Sequence, residues 1–157
     1  MKLMMTKIIA AVLLLVFIAV LLWEKVPEDR NLAEVEKEIL TEMRTEGMQK
    51  AGGIRFKRAY GLNVHDYGEV LYYAPETNMD VEELLIVRVK DSSQIETVQD
   101  AIEKRLEVQR KNFDGYGTDQ TTKLENARLY TGGNYVCLVV SEQSAKWMSA
   151  IKESIGG

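Results

Sequence analysis

The chain repeats one order of elements, strand, strand and helix, and this repeat limits the folds that are open to it. Residues 69–74 and 83–90 are rich in Val, Ile, Leu and Tyr, which favour strands, and a long helical pattern follows them. The order recurs as strands at residues 127–131 and 134–140 and a closing helix over residues 141–155. Such a repeat predicts an α+β fold: a small antiparallel or mixed sheet of about four strands, with the two long helices on one face.

Two of the predicted strands are apolar on both faces. In residues 83–90 and 134–140 both alternating sets of side chains are mainly apolar. A sheet with one face in water alternates apolar and polar residues instead. We expect the second face to be covered by an amphipathic helix predicted at residues 32–46, or by a second protein chain. To this second face we assign Leu84, Ile86, Val136 and Leu138.

The N-terminal segment is unlike the rest of the chain. Residues 8–23 form an uncharged run of sixteen residues. A helix of that length covers ~24 Å, against a bilayer hydrocarbon core of ~30 Å. A cleaved signal peptide needs small residues at its cleavage site, and none occurs between Ala19 and Ala33. A lipoprotein signal needs a cysteine after the run, and the only cysteine is Cys137. We therefore expect an uncleaved transmembrane anchor within residues 1–26.

The charges beside this run predict its orientation. Lys2 and Lys7 precede it, and more basic charge on that side places the N-terminus in the cytoplasm. Residues 27–157 are then extracytoplasmic, as an amphipathic helix and linker (27–53) and an α+β domain (54–157) on a single-pass anchor in the cell membrane. This part holds 17 of the 20 basic and 23 of the 24 acidic residues, a net charge of −6. Since phosphates repel an acidic surface, we expect no nucleic-acid partner.

The sequence offers few groups for catalysis. Its one histidine, His65, lies in a predicted turn, and Cys137 lies in the middle of an apolar strand, where a thiol behaves as a small hydrophobe. Zinc sites need three or four ligands, and a nucleophilic cysteine needs an adjacent base. The glycine motifs of nucleotide-binding and hydrolase sites do not occur. We therefore expect no enzymatic activity, no catalytic residue, no metal and no cofactor.

Two local groups of charges are interpreted as solvated surface. A basic group lies on a predicted short helix, and an acidic group lacks the ligand spacing and the central glycine of a calcium loop. The basic residues are Arg55, Lys57 and Arg58, and the acidic residues are Glu76, Asp80, Glu82 and Glu83.

One position on the long helix interrupts its apolar stripe. At 100° per residue Gln109 falls between Leu106 and Phe113, and Arg105 lies at the edge of the same stripe. A buried amide must find partners or cost about 1–3 kcal/mol. Gln109 and Arg105 either hydrogen-bond to the glycine-containing loop that follows or line a ligand pocket. The candidate binding or structural cluster comprises Arg105, Gln109, Phe113, Tyr116 and Gln120.

Four blocks, from about residue 56 to the last helix, carry a resemblance to a known family. They are "RAYGLNVHDYGEVLYY", "MDVEELLIVRVKD", "IEKRLEVQRKNFDGYGTDQ" and "GNYVCLVVS". In this order they resemble the bacterial domain of unknown function DUF4358. The resemblance implies a small extracytoplasmic domain of Gram-positive, largely clostridial, bacteria, in which many members look like lipoproteins. It implies that the five cluster residues recur in the family, and it supplies no catalytic residues. Because this chain lacks the lipoprotein cysteine, its tether would be the helix itself.

Two hypotheses of function follow from these features. The first is a membrane-anchored, non-enzymatic interaction or structural module of the cell envelope that binds another envelope protein or a second copy of itself. The anchor and the strands that are apolar on both faces favour it. The alternative is a small-ligand or sensory domain with a pocket bounded by Arg105, Gln109, Tyr116 and Gln120.

Overall fold

One antiparallel sheet with helices on both faces forms an α+β fold. The computed structural model describes residues 12–16, 29–115 and 117–156. The sheet consists of β1 (Met48–Lys50), β2 (Glu69–Pro75), β3 (Glu83–Arg88), β4 (Arg128–Gly132) and β5 (Tyr135–Val140). The α-helices of residues 29–156 are α1 (Leu32–Ile39), α2 (Gly53–Tyr60), α3 (Gln94–Phe113), α4 (Thr118–Glu125) and α5 (Ser144–Gly156). A single 3-10 turn spans Val64–Asp66.

Local sequence explains where the two short helices α1 and α2 begin and end. The side chain of Asn31 accepts a hydrogen bond from the backbone N–H of Ala33 at 2.8 Å, which caps α1. The helix α2 ends at Gly61, whose φ of 73° lies in the left-handed region that glycine adopts without steric cost. Both helices are short and therefore depend on packing against the sheet.

The strand order is β1-β2-β3-β5-β4, and every neighbouring pair is antiparallel. The sheet has five strands, whereas about four were predicted. The additional strand is β1, at the edge of the sheet. Its three residues, Met-Gln-Lys, carry no strand pattern, and they join the sheet by pairing with β2. The hairpin between β4 and β5 turns at Gly133, whose φ of 54° suits a tight two-residue turn.

The two long helices lie on opposite faces of the sheet, so the prediction that both lie on one face is wrong. On the first face Val98 and Ile102 of α3 pack with Leu85 and Leu138 of the central strands. On the second face α5 packs with its buried side chains Trp147, Met148, Ile151 and Ile155. The physical reason is that β3 and β5 are apolar on both sides, so each face needs its own helical cover.

The second face is also covered by α1, which is the role predicted for the amphipathic helix. Val35 and Ile39 are 0% and 1% exposed and pack in the same cluster as Leu84 and Ile86. The predicted membership of this face was partly wrong. The pairing of β3 with β5 places Cys137 and Val139 beside Ile86 and Leu84, whereas Val136 and Leu138 lie on the first face.

The predicted transmembrane run falls mainly outside the described residues. Of residues 8–23 only 12–16 are described, and they are helical and exposed. Within the part of the chain that the structure describes, no helix is both long and apolar enough to cross a membrane.

Candidate functional site

The structure brings two of the predicted cluster residues to one cavity and places two others elsewhere. Arg105 and Gln109 both line an open cavity of about 880 Å³. Phe113 is buried in the core of the first face, and the side-chain amide of Gln120 donates to the carbonyl of Met79 at 2.8 Å. Tyr116 lies outside the described residues.

The cavity is walled by three elements. The helix α2 and its cap residue form one wall, with Gly52, Gly53, Ile54, Arg55, Arg58 and Ala59. The end of β2 and the connection to β3 form the second wall, and α3 forms the third with Arg105, Gln109 and Asn112. These elements are far apart in sequence, so the cavity exists only in the folded domain.

A carboxylate buried behind the cavity holds Arg105 in place. Glu83, the first residue of β3, is 0% exposed, and its two oxygens accept hydrogen bonds from Nε and Nη2 of Arg105 at 3.3 and 3.2 Å. The hydroxyl of Tyr72 donates to the same carboxylate at 3.1 Å. Nη1 of Arg105 has no hydrogen bond within the described chain.

The buried charges shift the titration of their neighbours. Burial alone would lower the pKa of Arg105, but the negative charge of Glu83 and its hydrogen bonds more than offset this, and the net shift is upward. Burial, followed by the charge of Glu83, raises the pKa of Tyr72 and that of Tyr60. At neutral pH Arg105 is therefore charged and the two tyrosines are neutral.

The side chain of Gln109 lies at the wall of the cavity. Its side chain is 6% exposed, and within the described residues its carboxamide forms no hydrogen bond. Neither Gln109 nor Arg105 is bonded to the described part of the loop that follows α3, and the prediction that they hold this loop stays a prediction. The loop region is linked to the β2–β3 connection through Gln120 and Met79.

Some residues at the site were predicted to be solvated surface. Arg55 and Arg58 line the cavity on α2, and Glu83 is fully buried rather than part of a hydrated acidic loop. The signal for Glu83 was its position at the start of an apolar strand, where an acid needs a buried cation as its partner. Of the other acids, Asp80 pairs with Lys123 at 3.3 Å.

The two residues considered for nucleophilic or metal chemistry are far from this arrangement. Cys137 is 0% exposed on the second face, and burial raises the pKa of its thiol to about 12. His65 lies exposed on the 3-10 turn. Across residues 12–16, 29–115 and 117–156, no group of three or more His, Cys, Asp or Glu side chains is placed to hold a metal ion.

A second cavity, of about 700 Å³, lies between α1 and α5, and its polar groups bond to each other. The guanidinium of Arg30 donates to both oxygens of Glu38, at 2.9 and 2.6 Å, and Ser154 donates to Glu38 at 2.6 Å. The hydrogen bonds from Arg30 and then from Ser154 lower the pKa of Glu38 to about 2. These three polar groups are therefore paired with one another. The cavity leaves fewer polar groups for a ligand than the cavity at Arg105 does.

The fold and the cavity define a small α+β domain with an arginine-lined site and a buried ion pair behind it. The chain belongs to the family described as Domain of unknown function (DUF4358), whose family model matches residues 41–141. The match covers β1 to β5 and the entire cavity, whereas α1 and α5 lie outside it. No curated protein and no solved structure matches the chain.

Proposed function

We propose that this chain is a non-enzymatic domain that binds a small molecule in the cavity lined by Arg105 and Gln109. The observation that carries this proposal is the side chain of Gln109, which is 6% exposed and whose carboxamide opens to the cavity without a partner among the described residues. Most polar groups of buried residues are hydrogen-bonded within the protein. A ligand in the cavity would supply the missing hydrogen-bond partner, because the few polar groups that line a small-molecule pocket pair with the ligand.

The geometry also supplies a preorganised donor beside Gln109. The ion pair with Glu83 fixes Nε and Nη2 of Arg105, so its remaining nitrogen is presented without a further loss of side-chain freedom. Tyr72, Ala59 and Ala74 form the less polar part of the cavity wall. A few placed polar groups on a mainly pre-formed concave surface are typical of small-molecule sites.

We favour ligand binding over a protein partner. The chief support for a partner was the strands that are apolar on both faces, and these have another explanation. The strands that are apolar on both faces are covered by helices of the same chain. The large apolar side chains exposed in residues 29–156 are scattered: Ile54, Met79, Val108 and Leu129. An interaction with an envelope protein or with a second copy therefore has less support than a ligand in the cavity.

We also propose that the domain lies outside the cell membrane on a single-pass anchor. The uncharged run at residues 8–23 and the basic residues Lys2 and Lys7 before it support this location. Protease added to intact cells stripped of their wall should digest the C-terminal domain. Full protection of the domain in intact cells, with digestion only after lysis, would contradict the proposed orientation.

The binding proposal can be tested by thermal unfolding of the full chain in a non-ionic detergent. A compound that binds only the folded state at about 100 times its Kd adds about 2.7 kcal/mol of stability. A panel of small carboxylates, phosphates, amines and neutral amides should contain compounds that raise the unfolding temperature. The same compounds should have a much smaller effect on Gln109→Leu. If no compound in any class acts, or if Gln109→Leu responds like the parent chain, the proposal is wrong.

A further inference from the structure

The N-terminus of α2 opens into the cavity with unused hydrogen-bond donors. Gly52 and Gly53 line the cavity, and Gly52, at the cap position, supplies no side chain to the first turn. Within the described chain, the backbone N–H groups of Gly53 and Ile54 have no acceptor. The first N–H groups of a helix carry partial positive charge, and together they form a favourable place for an anion.

Two guanidinium groups on the same helix strengthen this positive end. Arg55 and Arg58 both line the cavity, and neither forms an ion pair with a described carboxylate. Arg55 is held by a hydrogen bond from Nη2 to the carbonyl of Pro75. Its remaining nitrogens and those of Arg58 have no partner in the described residues, although the chain as a whole has a net charge of −4.

The charges that line the cavity are three arginines and one aspartate, Asp80. That aspartate is already paired with Lys123, and Arg105 is paired with Glu83. The unpaired charge that remains at the wall is therefore positive and is concentrated on α2. A cleft lined by one sign of charge raises the local concentration of ligands of the opposite sign.

We infer that the cavity takes a small organic oxyanion, a carboxylate or a phosphate, whose charged oxygens lie at the N-terminus of α2 between Arg55 and Arg58. This inference rests on the proposed ligand-binding function and adds the charge of the ligand. The rest of the ligand lies against Ile54, which is 82% exposed at the cavity, and Ala59, and reaches the carboxamide of Gln109. The second observation that points to a ligand is Gln109 itself, a side chain that is 6% exposed, lines the cavity and has no hydrogen-bond partner in the described chain.

The structure allows this inference to be tested without disturbing the fold. Gly52 has φ −84° and ψ 179°, a conformation open to any residue, and a Cβ at this position meets no atom within 4 Å. Aspartate is a preferred cap residue, so Gly52→Asp should leave the unfolding midpoint unchanged or raise it. Its carboxylate would occupy the donors of α2 and repel an anion.

The binding measurement is calorimetric titration of the full chain with acetate, succinate, inorganic phosphate and phenyl phosphate, with ethylamine and acetamide as cationic and neutral probes. At least one anion should bind, and Gly52→Asp should weaken it by about tenfold or more, a loss of about 1.4 kcal/mol. Gly52→Asn, which has the same shape without the charge, should weaken it less. Arg58→Gln should also weaken binding, whereas Lys57→Gln, which removes a charge from the same helix outside the cavity wall, should not.

The outcomes separate this inference from the function on which it rests. Preference among the anions assigns the oxyanion to the carboxylate or the phosphate class, and either result supports the inference. If only ethylamine or acetamide binds and Gln109→Leu abolishes that binding, the cavity is a ligand site and the inference about charge is wrong. Equal binding of an anion to the parent chain and Gly52→Asp also overturns it. If no probe binds, both the inference and the proposed function fail.

Discussion

Gln109 and Gln99 lie on the same helix, and their amides have opposite environments. Gln99 donates to the hydroxyl of Thr131 at 2.9 Å, whereas the carboxamide of Gln109 opens to the cavity without a partner in the described chain. A substitution that removes an amide therefore loses a hydrogen bond at Gln99 and none at Gln109. This comparison allows a test of the site that needs no ligand.

Gln109→Leu should leave the stability of the unliganded chain unchanged or slightly higher, because the amide has no partner to lose and leucine keeps its volume. The matched change Gln99→Leu should destabilise by about 1 kcal/mol, since it leaves the hydroxyl of Thr131 unpaired. Urea unfolding midpoints of the two variants measure both effects. A clear loss of stability in Gln109→Leu would show that the amide has a structural partner.

The ion pair of Glu83 and Arg105 gives a second prediction for single residues. Removing one partner leaves a buried charge alone, so Glu83→Gln or Arg105→Met should each cost about 3–5 kcal/mol. The double variant Glu83→Gln/Arg105→Met should cost much less than the sum of the two. A double-mutant cycle in urea measures the coupling.

The exposed pair Glu107 and Lys111 on the outer side of α3 is the control for that cycle. A surface pair of this kind contributes little to stability, because water screens the two charges. If the coupling of Glu83 with Arg105 is no larger than that of the control pair, the buried pair does not organise the cavity wall.

At the scale of elements, the strand, strand and helix repeat explains both the success and the error of the predicted fold. The matching stretches "LIVRVKDSS" and "CLVVSEQS" place Leu85 and Cys137 at equivalent positions. In the sheet, however, Leu85 pairs with Leu138 and Ile86 pairs with Cys137. In this antiparallel register Leu85 lies on the first face and Cys137 on the second, so the equivalent side chains lie on opposite faces, and each helix follows its own strand. A pattern of apolar residues alone does not contain that register.

The helix α1 lies outside the family match, and its packing gives a prediction at this scale. Ile39 is 1% exposed between α1 and the second face, so Ile39→Ala should cost about 2–5 kcal/mol. Lys37→Ala on the exposed side of α1 should change stability by less than about 0.5 kcal/mol. Equal urea midpoints for the two variants would mean that α1 does not cover the sheet in solution.

At the scale of the whole molecule, buried thiol and phenol groups make stability depend on alkaline pH. Burial raises the pKa of Cys137 from 9.0 to about 12, and burial, followed by the hydrogen bond to Glu36, raises that of Tyr73 from 10.0 to about 12. The folded state therefore keeps protons that the unfolded state has lost. This contribution is fully present below pH 9 and is lost as the pH rises towards about 12.

Urea midpoints measured from pH 8 to pH 11 should accordingly fall, with the steeper decline above pH 9. Cys137→Ala removes one of the responsible groups, so its midpoint should start lower, because of the cavity it leaves, and should decline less steeply with pH. A parallel decline in the parent chain and in Cys137→Ala would show that the thiol is accessible to water or titrates near its ordinary pKa.

The parts of the site that could be predicted are those that depend on one helix. The period of α3 placed Arg105 and Gln109 on its buried side from sequence alone. The wall formed by α2 could not be predicted, because Arg55 and Arg58 reach the same cavity as α3 only through the arrangement of β2 and β3 in the sheet. Glu83 looked like a loop acid since its partner is 22 positions away. Short-range patterns identify buried positions, but contacts between elements depend on register and packing.

The central claim, a ligand in the Gln109 cavity, is tested most directly by the NMR signals of side-chain amides. The full chain labelled with ¹⁵N is titrated with the compound that most stabilises it, and the Gln109 signal is assigned by its loss in Gln109→Leu. The account predicts that this signal shifts with ligand concentration while that of Gln99, which already has a partner, stays in place. A Gln109 signal that stays unchanged while the compound binds would contradict the account and place the ligand elsewhere.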